Sequence, residues 1–227
     1  MKKALVILRK IFNKILNLIF PETCMFCDSD GHVLCENCRY EIDKKFRPEK
    51  SNLEIDGNLI NFISAFNYNG IVAQVIKKFK FGHKNAGEFL SKYLKRAMDF
   101  YKINFDMITF VPMSARKQEN RKFNQSEILA KKLSEIVDRP VFCLLKKSKE
   151  NLEQKGLDFY QRKSNVRNVY EFDNNMTKKI EDKKIILIDD ILTTGATIIE
   201  CSRLINSKKP KEIICLILAK VNNTTTS

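Results

Sequence analysis

Two stretches of the chain combine residue types that could do chemistry. The first is Ile185 to Thr197, IILIDDILTTGAT. An apolar run of strand character meets two adjacent carboxylates, Asp189 and Asp190. Thr193, Thr194, Gly195, Ala196 and Thr197 follow, and then a helical pattern carrying Ile198, Ile199, Leu204 and Ile205. In an open parallel sheet, ligands bind beyond the carboxyl ends of the strands, which would put both carboxylates at an exposed sheet edge. Backbone N–H groups at the start of the next helix, aided by its dipole, can hold a phosphate, and the threonine hydroxyls add donors. Gly195 lets the backbone come close to such a group. Carboxylates beside a phosphate repel it unless they face something else, and ribose hydroxyls or Mg2+ are natural partners. The pattern suits a sugar phosphate. Neither G-x4-GK[ST] nor G-x-G-x-x-G occurs in the sequence.

The second stretch is CMFCDSDGHVLCENC, in which Cys24, Cys27, Cys35 and Cys38 are spaced C-x2-C-x7-C-x2-C. Two C-x2-C knuckles can point four thiolates at one Zn2+, with Zn–S near 2.3 Å and no open position for water, which makes the metal structural. Disulfides are the alternative, and His32 is a substitute ligand; a reducing compartment favours the metal. Cys143, Cys201 and Cys215 sit singly in apolar stretches and read as small buried hydrophobes.

The elements that must position these groups follow from the patterning. With 227 residues, 44% hydrophobic, seven Gly and five Pro, the chain is neither disordered nor collagen-like. Leu5, Leu8, Ile11, Phe12, Ile15, Leu16 and Ile19 recur at helical spacing and predict an amphipathic helix over 1–20 that Pro21 stops. Its charges exclude a membrane span, and no small-residue cleavage site follows, so a cytoplasmic protein is expected. The helix would pack on the body of the protein or lie peripherally on a membrane surface. From residue 60 onward, strands are expected at 61–68, 107–111, 141–145, 185–188 and 213–218. Helices are expected around Val72–Phe79, around Phe89–Ala97 and after Asn124, whose spacing to Glu127 resembles a capping box. This alternation predicts a parallel α/β sheet flanked by helices. Residues 146–170 form a long polar connection of the kind that is functional or disordered. The expected organisation is a helix at 1–20, a four-cysteine knuckle at 21–50 and an α/β domain at 51–227. The net charge is +14. Residues 77–147 hold 17 Lys/Arg against 7 Asp/Glu, a local field that favours anionic partners.

IILIDDILTTGAT resembles the phosphoribosyl pyrophosphate (PRPP) signature of type I phosphoribosyltransferases. Further segments narrow the resemblance to the ComF (ComFC) family of natural-competence proteins: the helix ending Phe20-Pro21, the four cysteines, Lys80-Phe81-Gly82, Val111-Pro112, Arg121 to Gln125, and the spaced Gln154, Arg162 and Asn165. The resemblance runs from about residue 5 to about residue 220. Lys122 stands where the family's RGFNQ has Gly, and Met113 stands where Pro is usual. The resemblance implies a phosphoribosyltransferase-like domain in which Asp189 and Asp190 contact ribose hydroxyls and Thr193 to Thr197 hold the 5-phosphate. It implies pyrophosphate binding by Met113, Ser114, Ala115 and Arg116, with Lys80 as a further basic candidate, and Mg2+ bound together with PRPP. Residues 146–170 would be a closing loop, from which Arg162 meets the leaving pyrophosphate. Three functions fit: a transferase to a nitrogen acceptor, a competence protein handling incoming single-stranded DNA, and a PRPP-responsive protein acting on partners in the competence machinery. For DNA, the candidate contacts are Lys77, Lys78, Lys80, Lys84, Arg116, Lys117, Arg121 and Lys122, binding mainly by charge.

Overall fold

The computed structural model describes residues 23–55, 58–148 and 169–221. The predicted helix over 1–20, and Gln154, Arg162 and Asn165 of the predicted closing loop, lie outside the described residues. The chain divides into two compact units, Met1–Lys44 and Lys45–Ser227.

In the first unit, the two cysteine pairs bracket a tight turn and the start of helix α1 (Glu36–Asp43). Asp28 at φ 59° and Gly31 at φ 101° make the turn, which is closed by Cys24 N donating to Ser29 O at 2.7 Å and Asp28 N to Cys24 O at 2.9 Å.

The second unit is built on a five-stranded sheet. Its strands are β1 (Glu49–Ile55), β2 (Asn58–Asn67), β3 (Met107–Phe110), β6 (Lys184–Leu192) and β7 (Glu212–Lys220), in the order β1-β2-β7-β6-β3. Only β1 runs antiparallel to its neighbour. Helices α2 (Gly70–Lys80) and α3 (Ala86–Phe100) connect β2 to β3; α4 (Ala115–Arg121) and α5 (Gln125–Val137) follow β3. A short ribbon of β4 (Leu145–Lys147) and β5 (Tyr170–Phe172) and the one-turn helix α6 (Thr177–Ile180) lead to β6, and α7 (Ala196–Asn206) joins β6 to β7.

Residues 185–188 of β6 and 213–219 of β7 read as unbroken apolar runs because helices cover both faces. On one face Ile185, Leu187, Ile213, Cys215 and Ile217 join Ile198, Cys201 and Ile205 of α7 in one core. The intervening Ile186, Ile188, Ile214 and Leu216 are equally buried and point the other way, toward the layer in which α3 packs on β2 and β7 and α5 packs on β3 and β6. Helices α3 and α5 approach so closely at Gly87 that a Cβ there would collide with Ile128.

The expected strand at 141–145 is not formed. Val141 makes a single parallel bridge to Ile108. The Leu144 N–H then turns to the hydroxyl of Thr109 at 3.5 Å, and from Leu145 the chain pairs with β5 instead. Strand β1 was not anticipated, because EKSNLEI is a polar edge strand without the apolar run that marks an interior one.

Candidate functional site

Strand β6 ends at the point where the chain leaves the sheet in opposite directions. From β3 it runs outward through α5 to the bridge at Val141, and from β6 it runs inward through α7 to β7. This divergence is the crevice in which open α/β sheets bind ligands. Asp189, Thr193, Thr194, Gly195, Ala196 and Thr197 line a small concave cavity there.

The acidic pair beside it is held by groups from two other elements, α5 and α2. Asp189 Oδ1 accepts a hydrogen bond from Ser126 Oγ at 2.9 Å and from the backbone N–H of Asp190 at 2.9 Å. Asp190 Oδ2 lies 2.9 Å from Lys80 Nζ, and both side chains are mostly covered, with 13% and 17% exposed. Neither carboxylate stands on an open sheet edge as expected from the sequence. They are recessed under Ser126 in the first turn of α5 and the Lys80 side chain at the end of α2. Burial, then the neighbouring Asp190 charge, push the Asp189 carboxyl up to about 7, against the opposing pull of Ser126, the Asp190 N–H and Lys80.

Ser126 is placed by the cap of α5. Asn124 accepts from Ser126 N at 3.1 Å through its side-chain carbonyl and donates its amide to Val111 O at 3.0 Å, which ties the helix to the end of β3. The capping box expected at Asn124 is thus present in its Asn124 half, while Glu127 pairs with Lys131. Neither Ser126 nor this linkage was picked out from the sequence. The signal available was a hydroxyl directly after the Arg121 to Gln125 segment.

The loop after β6 ends at Gly195, with φ 76°, as the N-cap of α7. A Cβ on Gly195 would sit 3.4 Å from Ile199 Cδ1, so the loop backbone rests directly on its own helix. Ala196 N donates to Thr194 Oγ1 at 3.5 Å. Burial pushes the phenol of Tyr170 up, with Thr197 pulling it the other way.

From Val111, whose N–H donates to Ile188 O at 3.0 Å, the chain of the expected pyrophosphate loop leaves the same edge. Ser114, 2% exposed, is spent as the N-cap of α4, accepting from Lys117 N at 3.3 Å. Met113 is half-buried beside it. The side chain of Arg116 lies outside the described residues.

The two basic segments expected to share a surface do meet. Gln125 donates to Lys80 O at 3.3 Å, the Arg121 guanidinium donates to Gln125 at 3.3 Å, and it lies over the Phe81 ring at 5.8 Å. Lys77, Lys84 and Lys122 are exposed. Lys122 closes α4 at φ 64°, in the left-handed region, which explains why glycine suits this position. Lys80 belongs to the acidic pair rather than to the open surface.

In the first unit, the four cysteine sulfurs lie within 4.8 Å of one another, and Cys27 Sγ and Cys35 Sγ are 3.6 Å apart. Four thiolates about 2.3 Å from one tetrahedral ion would be about 3.8 Å apart, so this cluster could hold a metal with little adjustment. The surrounding backbone is suited to thiolates. Burial resists ionisation of Cys24, yet N–H donors from Cys35, Cys27 and Phe26 outweigh it and pull the thiol to about 6. The N–H of Cys38, then the Ser29 hydroxyl, lower Cys35, while burial raises Cys38. A bound cation would offset that last penalty.

Among the described residues no helix is long and apolar enough to cross a membrane. Residues 124–226 match the phosphoribosyl transferase domain family. The chain is 24% identical over 197 residues to competence protein F of Haemophilus influenzae, covering 84% of this chain and 81% of that one. It is 27% identical over 214 residues to competence protein ComFC of Streptococcus pneumoniae, covering 89% of this chain and 90% of that protein. It is also 27% identical to the DNA utilization protein YhgH of Escherichia coli over 118 residues, about half of each chain at 49% and 48%. A recessed acidic pair before a glycine-capped helix, on a mostly parallel sheet and preceded by a four-cysteine cluster, therefore belongs to a homologue of the ComF/ComFC competence proteins that carries a phosphoribosyltransferase domain.

Proposed function

We propose that this competence-related protein binds a phosphoribosyl group, with PRPP as the reference ligand, at the end of β6, and that it handles incoming single-stranded DNA on the basic surface beside that site. The observation that carries the reading is the acidic pair, fixed by Ser126 and Lys80 next to the glycine-capped start of α7. Asp189 and Asp190 would accept the ribose hydroxyls, and the backbone and hydroxyls of Thr193 to Thr197 would hold the 5-phosphate. The Met113 to Arg116 loop and Lys80 would share the pyrophosphate, with Lys80 keeping Asp190 neutralised until ligand enters. Arg162 would approach from the connecting segment. Mg2+ bound with PRPP would neutralise phosphate charge next to the carboxylates, and Zn2+ at the four cysteines would be structural. The names of the relatives, competence proteins and a DNA utilization protein, support the DNA half of the reading, as does the +14 net charge. Action in the cytoplasm, peripheral membrane contact through residues 1–20, and partners in the competence machinery complete the proposal.

The burial of the acidic pair favours a second reading, phosphoribosyl transfer. Breaking the C1–O bond sends an electron pair to the departing pyrophosphate and leaves positive charge on the ribose. A desolvated carboxylate stabilises that charge until a nitrogen lone pair forms the new C1–N bond, and the proton of that nitrogen passes to the released pyrophosphate. A PRPP-responsive binding protein would need only the first half of this chemistry.

Calorimetric titration with PRPP and Mg2+ tests the ligand assignment. The wild type is expected to bind and the Asp189→Asn/Asp190→Asn double variant is not; equal affinity of the two proteins overturns the ribose site. PRPP should compete with a single-stranded oligonucleotide, and should release pyrophosphate with a nucleobase acceptor if the second reading holds.

A further inference from the structure

The turn after α2 carries a feature that neither sugar-phosphate binding nor bulk charge requires. Phe81 is 67% exposed, the most exposed of the large hydrophobic side chains among the described residues. It stands in KKFKFGHK, residues 77–84, which hold four lysines and no acidic residue. Its fellow Phe79 is fully buried and packs near Phe123, with ring centroids 6.0 Å apart. The core thus uses one of the two aromatics and leaves the other in solvent.

Phe81 is held in place. Its N–H donates to Lys78 O at 3.1 Å, and the His83 N–H reaches the same carbonyl at 3.3 Å. The carbonyl of the preceding Lys80 accepts from Gln125, and its ammonium is fixed on Asp190. The Arg121 guanidinium lies 5.8 Å from the ring centroid while its Nη1 donates to Gln125. An exposed ring on a hydrogen-bonded turn, one residue from the lysine that touches the acidic pair, with the Arg121 guanidinium over it and lysines in its own segment, has the makeup of a base-stacking platform: a π face for a base and ammonium groups for the flanking phosphates. A protein partner would meet this aromatic among like charges only, whereas a polyanion with π faces matches both features.

We infer that Phe81, backed by Arg121, stacks on a nucleobase of single-stranded nucleic acid whose backbone passes over Lys77, Lys84 and Lys122 beside the phosphoribosyl site. This rests on the DNA-handling reading above and names how the strand is gripped.

Stacking and charge separate in a salt titration. Phe81→Ala should weaken binding of an unstructured oligothymidylate roughly tenfold and leave the slope of log affinity against log salt unchanged, because no charge is removed. Phe81→Tyr should bind like wild type, while Phe81→Leu should behave like Phe81→Ala. The double variant Lys77→Gln/Lys84→Gln should instead flatten the slope by about 1.4. An oligonucleotide carrying 2-aminopurine should be quenched by wild type but not by Phe81→Leu. Thermal midpoints of all variants should match wild type, since the ring is exposed. Wild-type affinity in Phe81→Ala, or equal affinity of Phe81→Leu and wild type, overturns the stacking platform and leaves charge-driven DNA binding standing. Failure of the wild type to bind any single strand overturns both.

Discussion

Asp189 occupies a place where function and stability pull in opposite directions. Its carboxyl, ordinarily near 3.8, is raised to about 7 by burial and by the charge of Asp190. Between those two values the folded protein holds a proton that the unfolded chain has lost. Stability conferred by that proton is complete below about pH 4 and is lost as pH rises through 7. Asp189→Asn cannot ionise, and its amide oxygen can still accept from Ser126 and from the Asp190 N–H. The variant should therefore gain stability over wild type by an amount that grows from pH 4 to pH 7 and then levels off, while losing PRPP. Urea midpoints of both proteins at pH 5 and pH 8 check this; an equal difference at the two pH values contradicts it. Lys122 is the second residue under strain. Held at φ 64° at the end of α4, it costs about 1–2 kcal/mol relative to a residue without a Cβ, partly offset by the greater freedom of an unfolded glycine. Lys122→Gly should stabilise the protein by about 0.5 kcal/mol in chemical denaturation.

Among the elements, the joint between β6 and α7 determines whether a phosphate can be held. Gly195 supplies both the left-handed backbone and the close seat against Ile199 and Leu192. Gly195→Ala should cost about 1 kcal/mol of stability and weaken PRPP more than tenfold, because the N–H groups that would face the phosphate turn with the backbone. Gly195→Asn, which tolerates this conformation better, should recover part of the stability. Chemical denaturation and calorimetry together separate the two effects. This joint was legible in the sequence, since an apolar run, two carboxylates, a Thr/Gly loop and a helical pattern each have a local signature. The interior strands were legible for the same reason. What could not be read was long-range: the hydrogen bond from Ser126 spans 63 residues to Asp189, and the Lys80–Asp190 pair joins α2 to β6. No local pattern encodes such pairings. The strand expected at 141–145 failed for a related reason. Its apolar residues are real, and Leu144 and Leu145 are fully buried, but they enter the core from a connection that the Thr109 hydroxyl draws away from the ladder.

The whole molecule divides into two units of unequal means. The α/β unit has helices over a five-stranded sheet. The first unit has one eight-residue helix among its described residues, too little apolar burial to fold a segment of this size unaided. The four cysteines, whose sulfurs converge within 4.8 Å, supply the staple that a segment of this kind needs. We expect one zinc per chain by elemental analysis, and four thiols that react with a thiol reagent only after chelation. Removing the metal should melt α1 and lower the helical circular dichroism slightly, while the main calorimetric transition of the α/β unit stays within a degree or two. Cys24→Ser should do the same without a chelator, since Cys24 is fully buried and a serine there leaves the ion with three thiolates. Acidification should release the metal, because protons compete for the sulfurs. Metal content near zero with four free thiols in freshly purified protein contradicts the structural zinc. Collapse of the main transition on chelation would contradict the independent folding of the cysteine unit.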